Sequence, residues 1–317
     1  MWTSLRVREW ASRITHSAIR NSPRHPGFRR LLSTSTEEDS YDLNDVGPDS
    51  RIEILSWPCP SSGQSTSDID RGKSDFVLVP SFLPAPEQRT LLREALGVLD
   101  VVHKVNARVR KRRKQVVWER AAYPLPEFAD LHDVFLPDDC YTWEERHFDS
   151  VIHHFRESSV ANLCNGSSSA LWGAIRKHFR EEAYEMEKNG SLMHLLHLST
   201  HGYIEGHVDN VEASGKMILG VSLGAARVLR MTGVEEEEGR QFQCLLDSGD
   251  AYITKGVMRY KYKHEILERG MFKGQPVQGG QRLSLMLRDK FHPGPTTTTT
   301  HDEGSLRPAQ PSSPHEP

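Results

Sequence analysis

From Leu192 onward the chain is cut into apolar stretches too short to be helices: LMHLLHLS, MILGVSLG, ARVLRMTG, QFQCLLD, DAYITKG, YKYKHEIL and RLSLMLR, with Gly, Asp and Ser turns between them. Runs of this length between turn formers are strands, and so many in succession predict a β sandwich or barrel. Upstream, Phe76–Val79 adds a short strand, and Pro84–Leu99 has the spacing of a helix that buries Leu91, Leu92, Ala95 and Leu96. Between Trp143 and Lys188 helical periodicity dominates, with Ile152, Phe155, Leu171, Ile175 and Phe179 as buried positions and NGSSS at Asn165–Ser169 as the break between two helices. The fold class is therefore α+β, a β core with flanking helices.

The ends of the chain read differently. Residues 1–36 carry seven arginines, many serines and threonines and one acid, Glu9, the composition of a mitochondrial transit peptide. Its helix would set Arg6, Arg13 and Arg20 opposite Leu5, Trp10 and Ile14. Residues 37–73 are polar and rich in Ser, Asp, Gly and Pro, which predicts a disordered linker; the folded domain is expected over 74–290, and the tail over 291–317 is expected to be disordered. The basic run Lys104–Gln115 reads as a solvated charged face or loop rather than a nucleic-acid contact. A net charge of -3 and a pI near 6.6 argue against general attraction to a polyanion. Cys59, Cys140, Cys164 and Cys244 are too far apart for a zinc knot or disulfide framework, and no apolar run is long enough to span a bilayer.

His207 and Asp209 sit two apart in EGHVDN, so in an extended segment both side chains leave one face. His264 lies on a later strand, in YKYKHEI. Two imidazoles and one carboxylate on one face of an iron leave the opposite positions open, as oxygen activation at non-haem Fe(II) requires. A His-x-Asp alone says little in a chain with sixteen histidines. RLSLMLR adds the second half of the pattern. On a strand Arg282, Ser284, Met286 and Arg288 face one way and Leu283, Leu285 and Leu287 the other. Arginines on an inward face need an anion, and two arms whose backbones lie about 20 Å apart could clasp a short dicarboxylate.

Taken together, HFDSVIHHFRES, HLSTHGYIEGHVDN, GDAYITKG, RYKYKHEIL and GQRLSLMLR resemble the AlkB family of Fe(II)/2-oxoglutarate dioxygenases, from about Phe76 to Asp289. The resemblance implies a double-stranded β-helix (jelly-roll) core, with His207, Asp209 and His264 as iron ligands. It also implies that Arg282 grips the distal carboxylate of 2-oxoglutarate with help from Tyr252, and that Arg288 lies near the metal-chelating end. Fe(II), 2-oxoglutarate and O2 would be consumed or bound in hydroxylating, or demethylating, a substrate carbon. The Asn-x-Tyr pair that nucleic-acid demethylases of the family usually carry is replaced by LLHLS, around Leu196 and Leu198, and their aromatic, basic nucleotide lid is not evident. The insert from about Val101 to Asp139 is longer than is usual for the group.

The expected protein is thus a monomeric oxygenase of the mitochondrial matrix. Its substrate is expected to be a protein or other matrix molecule, and the family resemblance links it to fatty-acid metabolism and programmed necrosis. Two rivals follow from the same residues: demethylation of mitochondrial RNA, and a metal-free binding scaffold that has kept the fold. An intact triad and both arginines argue against the scaffold.

Overall fold

The structure is a computed structural model that describes residues 40–43, 50–57, 75–122, 131–160, 165–210 and 215–290. The expected transit peptide and C-terminal tail lie outside the described residues. Among these residues there are fourteen strands: β1 (Tyr41–Asp42), β2 (Ile52–Ser56), β3 (Phe76–Val79), β4 (Glu144–Arg146), β5 (Ile152–Val160), β6 (Ser191–His207), β7 (Met217–Gly224), β8 (Arg227–Gly233), β9 (Gln241–Leu246), β10 (Ala251–Lys255), β11 (Tyr262–Ile266), β12 (Gly270–Phe272), β13 (Gln275–Val277) and β14 (Arg282–Asp289). The helices are α1 (Ala85–Val102), α2 (Ala107–Ala122), α3 (Asn165–His178), α4 (Arg180–Asn189) and the short α5 (Gly256–Tyr260). Every strand expected after Leu192 is present, as is the strand at Phe76–Val79.

The strands join in the order β1-β3-β10-β7-β14-β6-β11-β8-β9-β2, with β4 and β5 added beside β6, while β12 and β13 form a separate hairpin. β6 makes this a jelly roll. Its first half pairs with β14, from Ser191 against Asp289 to Leu198 against Arg282, and its last residues pair with β11, His207 against His264. One strand therefore belongs to both halves of the curled sheet. The crossing is tight at Gly202, where a Cβ would come 2.7 Å from the His154 carbonyl and 2.9 Å from the Ser199 nitrogen.

Two apolar cores follow from strict alternation. Leu219, Val221 and Leu223 of β7 and Leu283, Leu285 and Leu287 of β14 face outward, packing against Leu91, Leu92 and Leu99 of α1, Leu171 and Ile175 of α3, and Met186 of α4. Phe76, Leu78, Phe155, Leu196, Leu198, Leu229 and Phe242 fill the space between the sheets. Each such side chain contributes roughly 1.5–3 kcal/mol by leaving water, so neither core needs a metal to form.

Three expectations are corrected. Residues 37–73 are not all linker: β1 pairs with β3 and β2 with β9, with Leu43 and Ile52 buried, because short edge strands need few apolar residues to dock. The stretch from Trp143 to Val160 is strand rather than helix. A register shift between His153 and Phe155, with His154 at φ 50°, disturbs the two-residue alternation and leaves Ile152 and Phe155 three apart, as on a helix. NGSSS does not separate two helices; α3 begins at Asn165, consistent with the preference of Asn and Ser for helix starts, and the break falls at Phe179. The basic run proves to be helical, most of it in α2.

A candidate iron and 2-oxoglutarate site

The pairing of β6 with β11 puts His207 and His264 directly opposite each other, their ring centroids 4.4 Å apart. Asp209 follows two residues after His207, with its Oδ1 3.5 Å from His207 Nε2. One donor atom from each of the three lies within 4.8 Å of the others, the one such group among the described residues. The His207 Nδ1–H donates to the Glu205 carbonyl at 2.9 Å, leaving Nε2 as the free donor atom. Arg259, on α5 just ahead of β11, donates to the carbonyls of Asp209 at 3.0 Å and Asn210 at 3.2 Å, which fixes the chain beyond the strand.

The charge states suit a cation. Burial would push the Asp209 carboxyl up, but His264, His207 and Arg288 outweigh it and hold it well below the usual carboxylate range. Burial pulls His264 down to about 4, so it is neutral at physiological pH. On His207 burial acts in the same direction, but hydrogen bonds to Asp209 and the Glu205 carbonyl prevail and raise it above the ordinary imidazole value. Two imidazoles and a carboxylate converging in this way fit Fe(II).

On β14 the arginines point inward as their alternation requires, but they do different things. Arg288 Nη2 reaches Asp209 Oδ1 at 3.4 Å, so it belongs to the metal end. Arg282 is 1 % exposed; its Nε–H donates to Ser222 Oγ at 2.9 Å, and Nη2 has no partner among the described residues. It has no carboxylate partner among them either. A buried guanidinium left this way is an anion site. Burial pulls its pKa below the ordinary guanidinium value, and an anion beside it would reverse that.

Tyr252, on β10 opposite Gly220 of β7, is electrostatically coupled to both Arg282 and Asp209. Burial pushes its hydroxyl up to about 12, so it stays a hydrogen-bond donor. Its ring lies where a side chain at residue 220 would be: a Cβ there would come 2.6 Å from Cε1 and 2.7 Å from Cζ. Gly220→Ala should displace Tyr252, destabilise the fold by about 1–3 kcal/mol and raise the 2-oxoglutarate requirement; thermal melts and co-substrate titrations check both. Gly220, Ser222 and Arg259 were not singled out in the sequence. The signal for the first two was the small-residue alternation within MILGVSLG.

Residues 75–288 match the family model described as the 2OG-Fe(II) oxygenase superfamily. The mouse protein named alpha-ketoglutarate-dependent dioxygenase alkB homolog 7, mitochondrial, is 28% identical over 240 residues, covering 75% of this chain and 88% of the relative. The Bos taurus protein of the same name is 28% identical over 229 residues, 71% of this chain and 83% of the relative. Among solved structures, a Pseudomonas putida prolyl-4-hydroxylase aligns with a TM-score of 0.38 at 14% identity, over 68% of this chain and 92% of that one.

Proposed function

The chain belongs to the 2OG-Fe(II) oxygenase superfamily and is an AlkB-like dioxygenase that uses Fe(II), 2-oxoglutarate and O2, and from that premise we propose the roles of its residues. His207, Asp209 and His264 hold the iron. Arg282 takes the distal carboxylate of 2-oxoglutarate, Tyr252 donates a further hydrogen bond to it, and Arg288 fixes Asp209. The observation that carries this reading is the fully buried Arg282 guanidinium, held by Ser222 through Nε but with Nη2 unpartnered and no carboxylate beside it among the described residues, within the same β core as the triad.

When bound, iron with 2-oxoglutarate and O2 supplies oxidative decarboxylation to succinate and carbon dioxide, coupled to oxygen insertion at a substrate carbon. The chain's own contribution is binding and orientation. Ser222 aims the Arg282 fork, Gly220 gives Tyr252 its place, Arg259 fixes the Asp209 carbonyl, and the apolar side chains between the sheets exclude water.

The substrate in this reading is a protein or other mitochondrial matrix molecule in preference to RNA. Support comes from Leu196 and Leu198, apolar and buried where nucleic-acid demethylases carry Asn and Tyr. It also comes from the open groove of about 560 Å³ between residues 203–206 of β6 and residues 265–268 at the end of β11, which is lined by Glu205, Glu265 and Glu268. Carboxylates there repel a phosphate backbone. The test compares mass spectra of mitochondrial proteins and RNA with wild-type enzyme and with an Asp209→Ala variant. A +16 Da mark on a protein, dependent on Asp209, supports the reading; an Asp209-dependent loss of methyl groups from RNA alone replaces it.

The mitochondrial address rests on the arginine-rich, acid-poor first 36 residues and on the word mitochondrial in the names of both relatives. The family resemblance also carries the link to fatty-acid metabolism and programmed necrosis. Residues 1–40 fused to a reporter should carry it into the matrix, and a reporter left in the cytosol would refute the address. Among the described residues no helix is long and apolar enough to cross a membrane.

A further inference from the structure

Helix α2 is the part of the domain that the oxygenase site leaves unexplained. Its inward face is well occupied. Val116 is buried, Arg112 binds Asp139 at 2.8 Å, Arg113 binds Asp100 at 2.6 Å and the Cys140 carbonyl at 2.7 Å, and Arg120 donates to the carbonyls of Asp133 and Phe135 at 2.9 and 2.6 Å. These contacts fix which way the helix faces. At about 100° per residue, Trp118 points directly away from this face, between Lys111 and Lys114, with Arg110 and Val117 beside them. Trp118 is 73 % exposed and Val117 54 %. Lys111 and Lys114 make no ion pair among the described residues, and the one acid on the outer side, Glu119, accepts a hydrogen bond from Gln115.

We propose that this outer stripe of α2 docks the enzyme on an anionic phospholipid surface. An indole held out in water between two lysines is poorly placed for a lone soluble protein and well placed at a bilayer interface. There the ring sits at headgroup level, while the lysine stems lie along it and carry their ammonium groups to the phosphates. Charge complementarity selects an anionic surface, since Arg110, Lys111 and Lys114 face outward together. The geometry favours lipid over RNA for two reasons. The stripe is a convex ridge, which meets a plane and offers no groove to a strand. Three of the five arginines of α2, Arg112, Arg113 and Arg120, are turned inward and committed to protein oxygens, and Arg110 donates to the Val105 carbonyl at 3.3 Å, which leaves the stripe few of the free forks best suited to phosphate esters and stacked bases.

The experiment uses the full chain with vesicles of phosphatidylcholine alone or with 30 mol% phosphatidylglycerol, their acyl chains brominated to quench tryptophan at the interface. The signal is the quenching present in wild type and absent in Trp118→Phe, which isolates α2 whatever the arginine-rich N-terminal segment does. It is expected only with the anionic vesicles and should vanish in 0.5 M salt. Lys111→Ala/Lys114→Ala should weaken it by roughly 25-fold, about fivefold for each cation removed. All these residues lie outside the proposed iron site, so uncoupled 2-oxoglutarate turnover and the thermal melt should not change. Identical quenching in wild type and Trp118→Phe would overturn the proposal. So would a single-stranded RNA that perturbs Trp118 while anionic vesicles do not.

Discussion

His207→Ala and Asp209→Ala are each expected to reduce uncoupled 2-oxoglutarate turnover by at least a hundredfold while leaving the protein folded. The lower bound follows because changes to groups that merely support a metal ligand already cost about 10–100-fold, and here a ligand itself is lost from a set of three. Folding should survive. The His207 and Asp209 side chains are only 21% and 13% exposed, but neither core includes them: one is built from β7, β14 and the helices, the other from side chains of β3, β5, β6, β8 and β9. Removing Asp209 also leaves Arg288 without its carboxylate, so its melt should fall further than that of His207→Ala. Anaerobic Fe(II) titration with circular dichroism separates the two effects. Equal iron binding by wild type and His207→Ala would refute the assignment of the triad.

The same ligands set a pH dependence whose sign can be stated. Iron needs both imidazoles neutral. His264 is held down to about 4 and meets that condition across the physiological range, whereas His207 is raised above the ordinary imidazole value and must lose a proton first. Apparent Fe(II) affinity should therefore fall as pH drops below the His207 pKa, by about tenfold per unit, with a single-proton slope until pH approaches 4. A two-proton slope between pH 5 and 7 would mean that His264 is not buried as described.

What could be read from the sequence follows from which physical signals are local. The β7 and β14 segments were legible because both faces are demanding: leucines on one side meet the helices, and Gly220, Ser222, Arg282 and Arg288 on the other line the interior. A residue's face is fixed by counting in twos. The same counting failed at β5, where the irregularity at His154 breaks the alternation and imitates a helical spacing. It failed again at β2. There Ile52 is buried, but the strand lies at the edge of the sheet, anchored by Arg51 pairing with Asp250 nearly two hundred residues away, a contact no local pattern announces. The site shows the same division. His207, Asp209, His264 and the arginines stood out by residue type. Strand geometry alone let Arg282 and Arg288 clasp one dicarboxylate, the family resemblance set Arg288 apart near the metal-chelating end, and the structure adds its contact with Asp209.

That separation gives the second large effect. Arg282→Ala should raise the 2-oxoglutarate concentration for half-maximal uncoupled turnover by roughly 30-fold to several thousandfold, since truncating one partner of a buried, hydrogen-bonded charge pair costs about 2–5 kcal/mol. Fe(II) affinity measured without 2-oxoglutarate should hardly move, because Arg282 makes no contact with the triad, its one side-chain hydrogen bond among the described residues being to Ser222. Arg288→Ala should do the reverse and weaken iron first, through Asp209. Arg282→Lys should fall between wild type and Arg282→Ala: the ammonium keeps the charge but cannot offer two parallel donors to one carboxylate. Ser222→Ala, which only releases the Nε anchor, should cost about 1 kcal/mol, or close to fivefold. The fold should tolerate Arg282→Ala, since the residue removed is a buried cation without a carboxylate partner. Co-substrate titrations on the four variants, set beside anaerobic iron titrations, give the ordering. If Arg282→Ala left the 2-oxoglutarate dependence unchanged, the clamp would have to lie elsewhere on the inner face.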